Sequence, residues 1–276
     1  MPGKKQHSSK GIFDCPILSL KSLVGDIYLM RMSCPAIARD AVPGQFVNIK
    51  VNNDFVPFLR KPFSVCRRNE KEGWIEVLWK IVGKGTEIMS RYQRSEVVNI
   101  LGPLGRGYDI PPDLQIALLV GGGLGVAPLP FLCEEIRKLG KSVEVFLGAS
   151  SESELSMVEA FRDLGIEVFL ATEDGSLGKR GLVTEILLER LNQITSLQGV
   201  YLYSCGPNPF LQAMMNLSEE RGIVGEVAIE TMMGCGFGIC VGCPVRVRDG
   251  RVGEGLFKLT CIDGPVFNTT EILLDG

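Results

Sequence analysis

The sequence predicts a multidomain β plus α/β protein: an antiparallel β-barrel, a doubly wound parallel sheet, and a small cysteine-rich domain at the C-terminal end. Three observations predict it. Short strands crowd residues 11–110, buried-type strands alternate with helices over 111–222, and residues 223–276 gather cysteines among glycines. The division is therefore 1–110, 111–222 and 223–276.

In the first segment "QFVNIKV" (45–51) alternates apolar and polar residues, the period-two pattern of a half-buried strand. "GWIEVLWKIVGKG" (73–85) gives a second strand ending in glycines, and "VPG" and "NND" punctuate the chain as turns. Closely spaced short strands of this kind close into a small antiparallel barrel. In the second segment "QIALLVGGG" (115–123), "SVEVFLGAS" (142–150), "GIEVFLAT" (165–172) and "GVYLYSCGP" (199–207) are continuous apolar strands. Helical stretches separate them: "LPFLCEEIRKLG", ended by Gly140, then "ELSMVEAFRDLG" and "GLVTEILLERLNQI". Strands alternating with helices make parallel βαβ units, whose ligands bind at the carboxyl ends of the strands. The last fifty or so residues are too few to bury a large core unaided, so a metal staple is expected there.

Composition narrows the function classes. Apolar residues are 45% and charged residues 22% of the chain, ordinary for a globular protein. A net charge of -3 gives no basic surface, so no nucleic acid is expected as a partner. The longest apolar run, "IALLVGGGLGVAPLPFL", is broken by glycines and prolines, so no membrane association is expected. Nothing at the N-terminus reads as a signal peptide, and nine cysteines then point to a reducing, cytoplasmic compartment.

Cys235, Cys240 and Cys243 follow a Cys-x4-Cys-x2-Cys spacing, with Cys261 seventeen residues on. This is the plant-type ligand pattern of a [2Fe–2S] cluster, which needs thiolates and backbone amides converging on one point. Gly236, Gly238 and Gly242 are expected to let the loop wrap through positive φ. Structural zinc is the runner-up, weakened because only one half has a short knuckle and the sole histidine is His7 in the tail. Unligated core thiols come last. Cys15, Cys34, Cys66 and Cys133 read as buried hydrophobes, whereas Cys205 in "YSCGPNPF" either faces a ligand or is buried too.

"VGGGLGVAP" (120–128) links an apolar strand to a helix, the context in which backbone amides hold a dinucleotide. It is not G-x-G-x-x-G, since Val126 takes the sixth place, and tight strand–helix packing is the alternative reading. "RKPFSV" (60–65) and "GKGT" (83–86) taken alone read as a basic turn and a hairpin turn. Beside a nicotinamide site and a one-electron cluster they point to a flavin, which accepts a hydride and releases electrons singly.

Together, and in this order, the motifs resemble the ferredoxin-NADP reductase superfamily. More narrowly they resemble the electron-transfer subunits of type B dihydroorotate dehydrogenases, through "GPLGRGYDI", "EDGSLGKRGLVTE", "ETMMGCGFGICVGC" and "CIDGPVFN". The resemblance covers residues 11–270. It implies FAD on the barrel, with Arg60 at the pyrophosphate and Pro62, Phe63 and Ser64 near the ring. Gly83, Lys84, Gly85 and Thr86 would meet the FAD phosphates. It implies NAD(H) over Gly121, Gly122, Gly123 and Gly125, followed by Pro128, with Cys205, Gly206 and Pro207 near the nicotinamide. Cys235, Cys240, Cys243 and Cys261 would be the cluster ligands, and Ser64 and Cys205 the candidate catalytic residues. It further implies an FMN-containing dihydroorotate dehydrogenase catalytic subunit as partner, in a heterotetramer serving pyrimidine biosynthesis.

Two departures stand out. The loop "GCGFGICVGCPV" stands where relatives more often carry alanine and an aromatic, and "VRDGRVGEG" (247–255) puts an expected hairpin before Cys261. Competing readings are the diaphorase-like subunit of another complex (an NADPH-dependent ferredoxin oxidoreductase, a hydrogenase or a sulfite reductase) and a zinc-tailed nucleotide-binding regulator. No base for dihydroorotate oxidation is found in this chain. For NAD over NADP, Glu152 and Glu154 in "GASSESEL" are expected where a 2′-phosphate would sit, unless they merely cap the next helix.

Overall fold

The computed structural model describes residues 10–248 and 256–274, so His7 and most of the 247–255 insertion lie outside the described residues. The first segment is a closed antiparallel barrel. Its strands are β1 (Gly11–Val24), β2 (Ile27–Ser33), β3 (Phe46–Lys50), β4 (Lys61–Asn69), β5 (Trp74–Lys80) and β6 (Val97–Leu104), in the order β1-β2-β5-β4-β3-β6. Inward residues such as Ile17, Met30, Val47, Ile49, Val65 and Ile75 fill it. Helix α1 (Pro35–Asp40) plugs one opening with Ile37 and Ala38. Helix α2 (Lys84–Met89) starts at Gly83, so "GKGT" opens a helix and is not a hairpin turn. "RKPF" likewise enters β4 and is not a solvated turn.

The second sheet holds β7 (Ile116–Gly122), β8 (Ser142–Ala149), β9 (Val168–Thr172), β10 (Lys179–Arg180), β11 (Val200–Cys205) and β12 (Val224–Ala228). All six run parallel. Their residues alternate between two apolar layers, as a sheet covered on both faces requires. Ala117 and Leu119 of β7 face α3 (Leu129–Lys138) and α4 (Val158–Arg162), while Leu118 and Val120 face α5 (Val183–Leu191) and α6 (Asn208–Arg221). The 154–165 stretch forms less helix than its pattern implies, because Met157 at φ 63 delays the start of α4.

The cysteine-rich segment does not stand apart. β12, just past residue 222, belongs to the parallel sheet, and β15 (Val266–Asn268) extends that sheet by pairing antiparallel with β12. The rest forms a small sheet from β13 (Pro244–Val247), β14 (Phe257–Leu259) and β16 (Ile272–Leu273), in the order β14-β13-β16. β13 and β14 pair antiparallel, Pro244 opposite Leu259.

Barrel and sheet are fastened across their seam. Arg67 Nε lies 2.6 Å from Glu134 Oε1, and the Arg68 guanidinium sits 5.1 Å over the Phe131 ring. Phe131, on α3, is wholly buried in the barrel core. Tyr108, in the connector, donates to Ser204 O at 3.3 Å and packs edge-on against Tyr203. This seam fixes where the carboxyl ends of the sheet strands face the barrel wall. Among the described residues no helix is long and apolar enough to cross a membrane.

Candidate functional site

Two cavities meet in the cleft between barrel and sheet. One, of about 580 Å³, lies over the carboxyl ends of β7 and β8 and is lined by Gly122 to Gly125, Pro207, Phe210 and Val183. The other, of about 290 Å³, is lined by Phe46, Pro62, Phe63, Ser64, Trp79 and Thr86 of the barrel region. Lys80, Leu124 and Glu230 line both. The two cavities therefore share part of their wall.

The larger cavity owes its floor to a close approach of two backbones. A Cβ at Gly125 would lie 2.1 Å from Cys205 O and 2.5 Å from the Gly206 Cα, so only glycine lets the first loop nest against the end of β11. Gly123 takes φ +55 with open space around it. Gly121 and Pro128 do not line the cavity. Gly121 backs onto Leu147 and Leu129, and Pro128 starts α3. Cys205 is 4% exposed, and burial pushes its thiol well up, so it stands as a neutral thiol behind Gly206.

The smaller cavity is aromatic, with Phe63 tilted on Trp79 at 6.1 Å between centroids. Trp79 Nε1 and Thr231 Oγ1 are buried without a partner. Orphaned polar atoms beside aromatic faces fit a planar guest that hydrogen-bonds at its edge. Thr86 Oγ1 accepts from Val82 N and Gly83 N and donates to Gly83 O, which fixes the turn leading into α2.

Arg60 stands apart from both cavities. Its guanidinium donates to Asn48 O at 3.2 Å, Asn99 O at 3.0 Å and the Asn99 side chain, and it lines a separate cavity with Asp14, Lys50 and Tyr92. Desolvation in that setting lowers its pKa. The neighbouring cation is Lys61, three residues before Ser64, whose Cε lies 3.2 Å from where a Gly85 Cβ would sit. Counting back three residues from Ser64, rather than taking the first arginine, finds it.

Three charged residues at the junction and rim, Lys80, Glu173 and Glu230, escaped sequence reading, while Glu154 was expected there. Lys80 Nζ pairs with Glu154 Oε1 at 2.8 Å. Glu230 lines both cavities, and desolvation in the cleft raises its carboxyl pKa. Glu173 lines the larger cavity and accepts from Ser150 Oγ at 3.3 Å, while Glu152 does not line it. No local pattern marks these residues, because the cleft brings them together from separate segments.

The cysteine loop lies against the barrel beside the smaller cavity. Gly236 and Gly238 take φ 78 and 92 as expected, but Val241 at φ 48, not Gly242, makes the third left-handed turn. Among the described residues no three His, Cys, Asp or Glu side chains close on one ion. The thiols come as two pairs instead. Cys235 N donates to Cys240 Sγ and Cys240 N to Cys235 Sγ, each at 3.4 Å. Cys261 and Cys243 pack in one buried apolar cluster, and Thr260 N donates to Cys243 O at 2.9 Å. Two cysteines for each of two irons is what a [2Fe–2S] cluster takes, whereas zinc needs its ligands around one ion. The donor set fits the cluster. Burial resists ionisation of Cys235, but N–H groups of Cys240, Phe237 and Ile239 and the Cys240 thiol outweigh it and bring the pKa down to about 6. Burial, then the Cys243 thiol, push Cys261 up to about 12. The 243/261 pair is buried, and Cys240 is exposed.

The chain is similar to known proteins over nearly its whole length. Residues 230–273 match the iron-sulfur cluster binding domain of dihydroorotate dehydrogenase B. The dihydroorotate dehydrogenase B (NAD(+)) electron transfer subunit of Desulforamulus reducens is 35% identical over 264 residues, covering 95% of this chain and 98% of that relative. The subunit of the same name from Geobacillus kaustophilus is 36% identical over 261 residues, covering 94% and 97%. Among solved structures, an NADH-dependent reduced ferredoxin-NADP oxidoreductase studied for electron bifurcation superposes with a TM-score of 0.82 at 26% identity, covering 99% of this chain and 91% of that one. A ferredoxin NADP+ reductase from Neisseria gonorrhoeae, 17% identical with a TM-score of 0.65 over 76% and 92% of the two chains, shares the fold. With its paired thiols and joined cavities, this chain belongs to the family of dihydroorotate dehydrogenase B (NAD(+)) electron transfer subunits.

Proposed function

We propose that this protein passes electrons between NAD and an FMN-containing catalytic subunit that oxidises dihydroorotate, as a step of pyrimidine biosynthesis in the cytoplasm. The observation that carries this reading is the continuity of three sites. The glycine-loop cavity shares Lys80, Leu124 and Glu230 with the aromatic cavity, and the aromatic cavity shares Phe46 with the apolar cluster that buries Cys243 and Cys261.

The larger cavity would take NAD(H), the smaller the ring of FAD, and the four thiols a [2Fe–2S] cluster. When bound, nicotinamide and flavin exchange a hydride, and flavin and cluster exchange single electrons. The chain itself orients and shields. Gly122, Gly123 and Gly125 let a dinucleotide approach the backbone at the start of the helical turn. Phe63 and Trp79 wall the flavin side, and Ser64 offers a hydroxyl at the cavity edge. Leu124 lines both cavities, and the Lys80–Glu154 pair holds charge at their rim. Proximity and orientation are the catalytic contribution of such a frame. Lys61, rather than Arg60, would meet the FAD phosphates beside Gly85. Glu154 and Glu173 in the larger cavity favour a ribose without a 2′-phosphate, hence NAD. The division into units at 110/111 and 222/223 follows these three sites, with β12 and β15 joining the third unit to the second.

The test is purification together with the catalytic subunit under anaerobic conditions. FAD, iron, acid-labile sulfide and dihydroorotate-dependent reduction of NAD support the reading. A zinc-containing, colourless chain refutes it. A complex active only with ferredoxin, hydrogen or sulfite refutes the partner and leaves the cofactors standing.

A further inference from the structure

We infer that Asn48 is a positioning residue that sets the cluster loop against the flavin-binding wall of the barrel. The inference rests on the cofactor reading above and goes beyond it by assigning one side chain the task of alignment.

Asn48 is the polar member of the alternating strand "QFVNIKV", and alternation alone places it on a solvated face. It is instead 1% exposed. The cysteine-rich segment covers that face of β3. The Asn48 amide donates from Nδ2 to Cys235 O at 2.9 Å, across 187 positions of sequence. The contact is closely fitted, since a Cβ on Gly236 would lie 2.0 Å from that same Nδ2. Asn48 Oδ1 is buried without a partner. A buried polar atom left unpaired costs about 1–3 kcal/mol, so an apolar side chain of the same shape would serve stability equally well. The asparagine therefore contributes something that packing does not require. That contribution is direction: one hydrogen bond at one end of the cysteine loop.

The geometry around it makes direction matter. In register, Asn48 faces Pro62 and Phe46 faces Ser64 across β3 and β4, so the strand that holds the amide also backs the proposed flavin wall. Phe46 lines the smaller cavity and packs in one apolar cluster with Cys243 and Cys261. The buried cysteine pair is thus seated by apolar contact, which is tolerant of small slides. The outer pair, Cys235 and Cys240, has no such seat, and Cys240 is exposed. The Asn48 hydrogen bond is what ties that outer half to the barrel.

The experiment uses the full chain, reconstituted and kept anaerobic, with Asn48→Leu and Asn48→Asp. Leucine keeps the shape and removes the donor; aspartate turns a carboxylate toward the Cys235 carbonyl. Iron and sulfide content, the EPR spectrum and midpoint potential of the cluster, and the separate rates of flavin reduction by NADH and of cluster reduction by flavin are measured. The expected result is full cluster content, unchanged flavin reduction, an altered EPR spectrum, and flavin-to-cluster transfer slowed about tenfold or more, since displacements near 1 Å in such steps cost up to about 10²-fold. Unchanged spectrum and transfer rate in both variants overturn the inference. So does loss of iron from both, which would make Asn48 part of the scaffold rather than its alignment. Wild-type protein without iron would instead refute the cofactor reading itself.

Discussion

Gly125→Ala isolates the close approach on which the nucleotide cavity depends. The added methyl would lie 2.1 Å from Cys205 O, 2.3 Å from Cys205 C and 2.5 Å from the Gly206 Cα. Ordinary contacts between such heavy atoms are about 3.5 Å, so loop and strand end must part by about 1 Å or more. Overpacking of this kind costs about 1–3 kcal/mol. Because both flanks line the cavity, most of that cost should fall on the ligand, an increase of about 10- to 100-fold in the Kd for NADH. Gly123→Ala is the internal control. Its methyl meets nothing within 4 Å, so only the backbone at φ +55 objects, at about 1 kcal/mol. The assay is NADH titration and anaerobic stopped-flow bleaching of the flavin in both variants, with iron content measured alongside. If Gly125→Ala binds NADH within twofold of wild type and bleaches at the same rate, the cavity assignment is wrong.

Other outcomes follow from the same geometry. Cys243→Ser should lose iron and sulfide while NADH still reduces the flavin, read as retained dye reduction without electron delivery to the catalytic subunit. Lys61→Ala should release FAD during gel filtration, whereas Arg60→Ala, which strips donors from Asn48 O and Asn99 O, should lower the Tm and keep FAD. Glu226 is 7% exposed, and burial, opposed by the Asp109 N–H and Arg106, raises its carboxyl pKa to about 7. The folded chain then holds that proton more tightly than the unfolded one. Its stabilising contribution is complete below about pH 4.5 and is lost as pH rises through about 7. At 1.36 kcal/mol per unit this amounts to about 3 kcal/mol at most. Glu226→Gln should therefore flatten the fall in Tm between pH 5 and 8; an unchanged slope would show that Glu226 titrates normally.

Local chemistry determined much of this protein. Apolar runs entering glycine loops required parallel strands with ligands at their ends, and Cys-x4-Cys-x2-Cys required a loop turned inward on its sulfurs. Those signals are short-range, so they survive in the sequence. Helix α6, between Asn208-Pro209 and Gly222 at φ 64, was equally legible, with Leu211, Met214, Met215 and Ser218 buried along one face, and went unread. What tertiary structure alone decided is which groups meet. Alternation put Asn48 in water until another segment covered it. Resemblance put Arg60 at the phosphates, whereas the fold turns its guanidinium toward the carbonyls of Asn48 and Asn99. Glu230 and Lys80 lie 150 positions apart and become neighbours only at the shared wall of two cavities. A side chain's partner across a cleft depends on how whole elements dock, and no period of two or 3.6 residues encodes that docking.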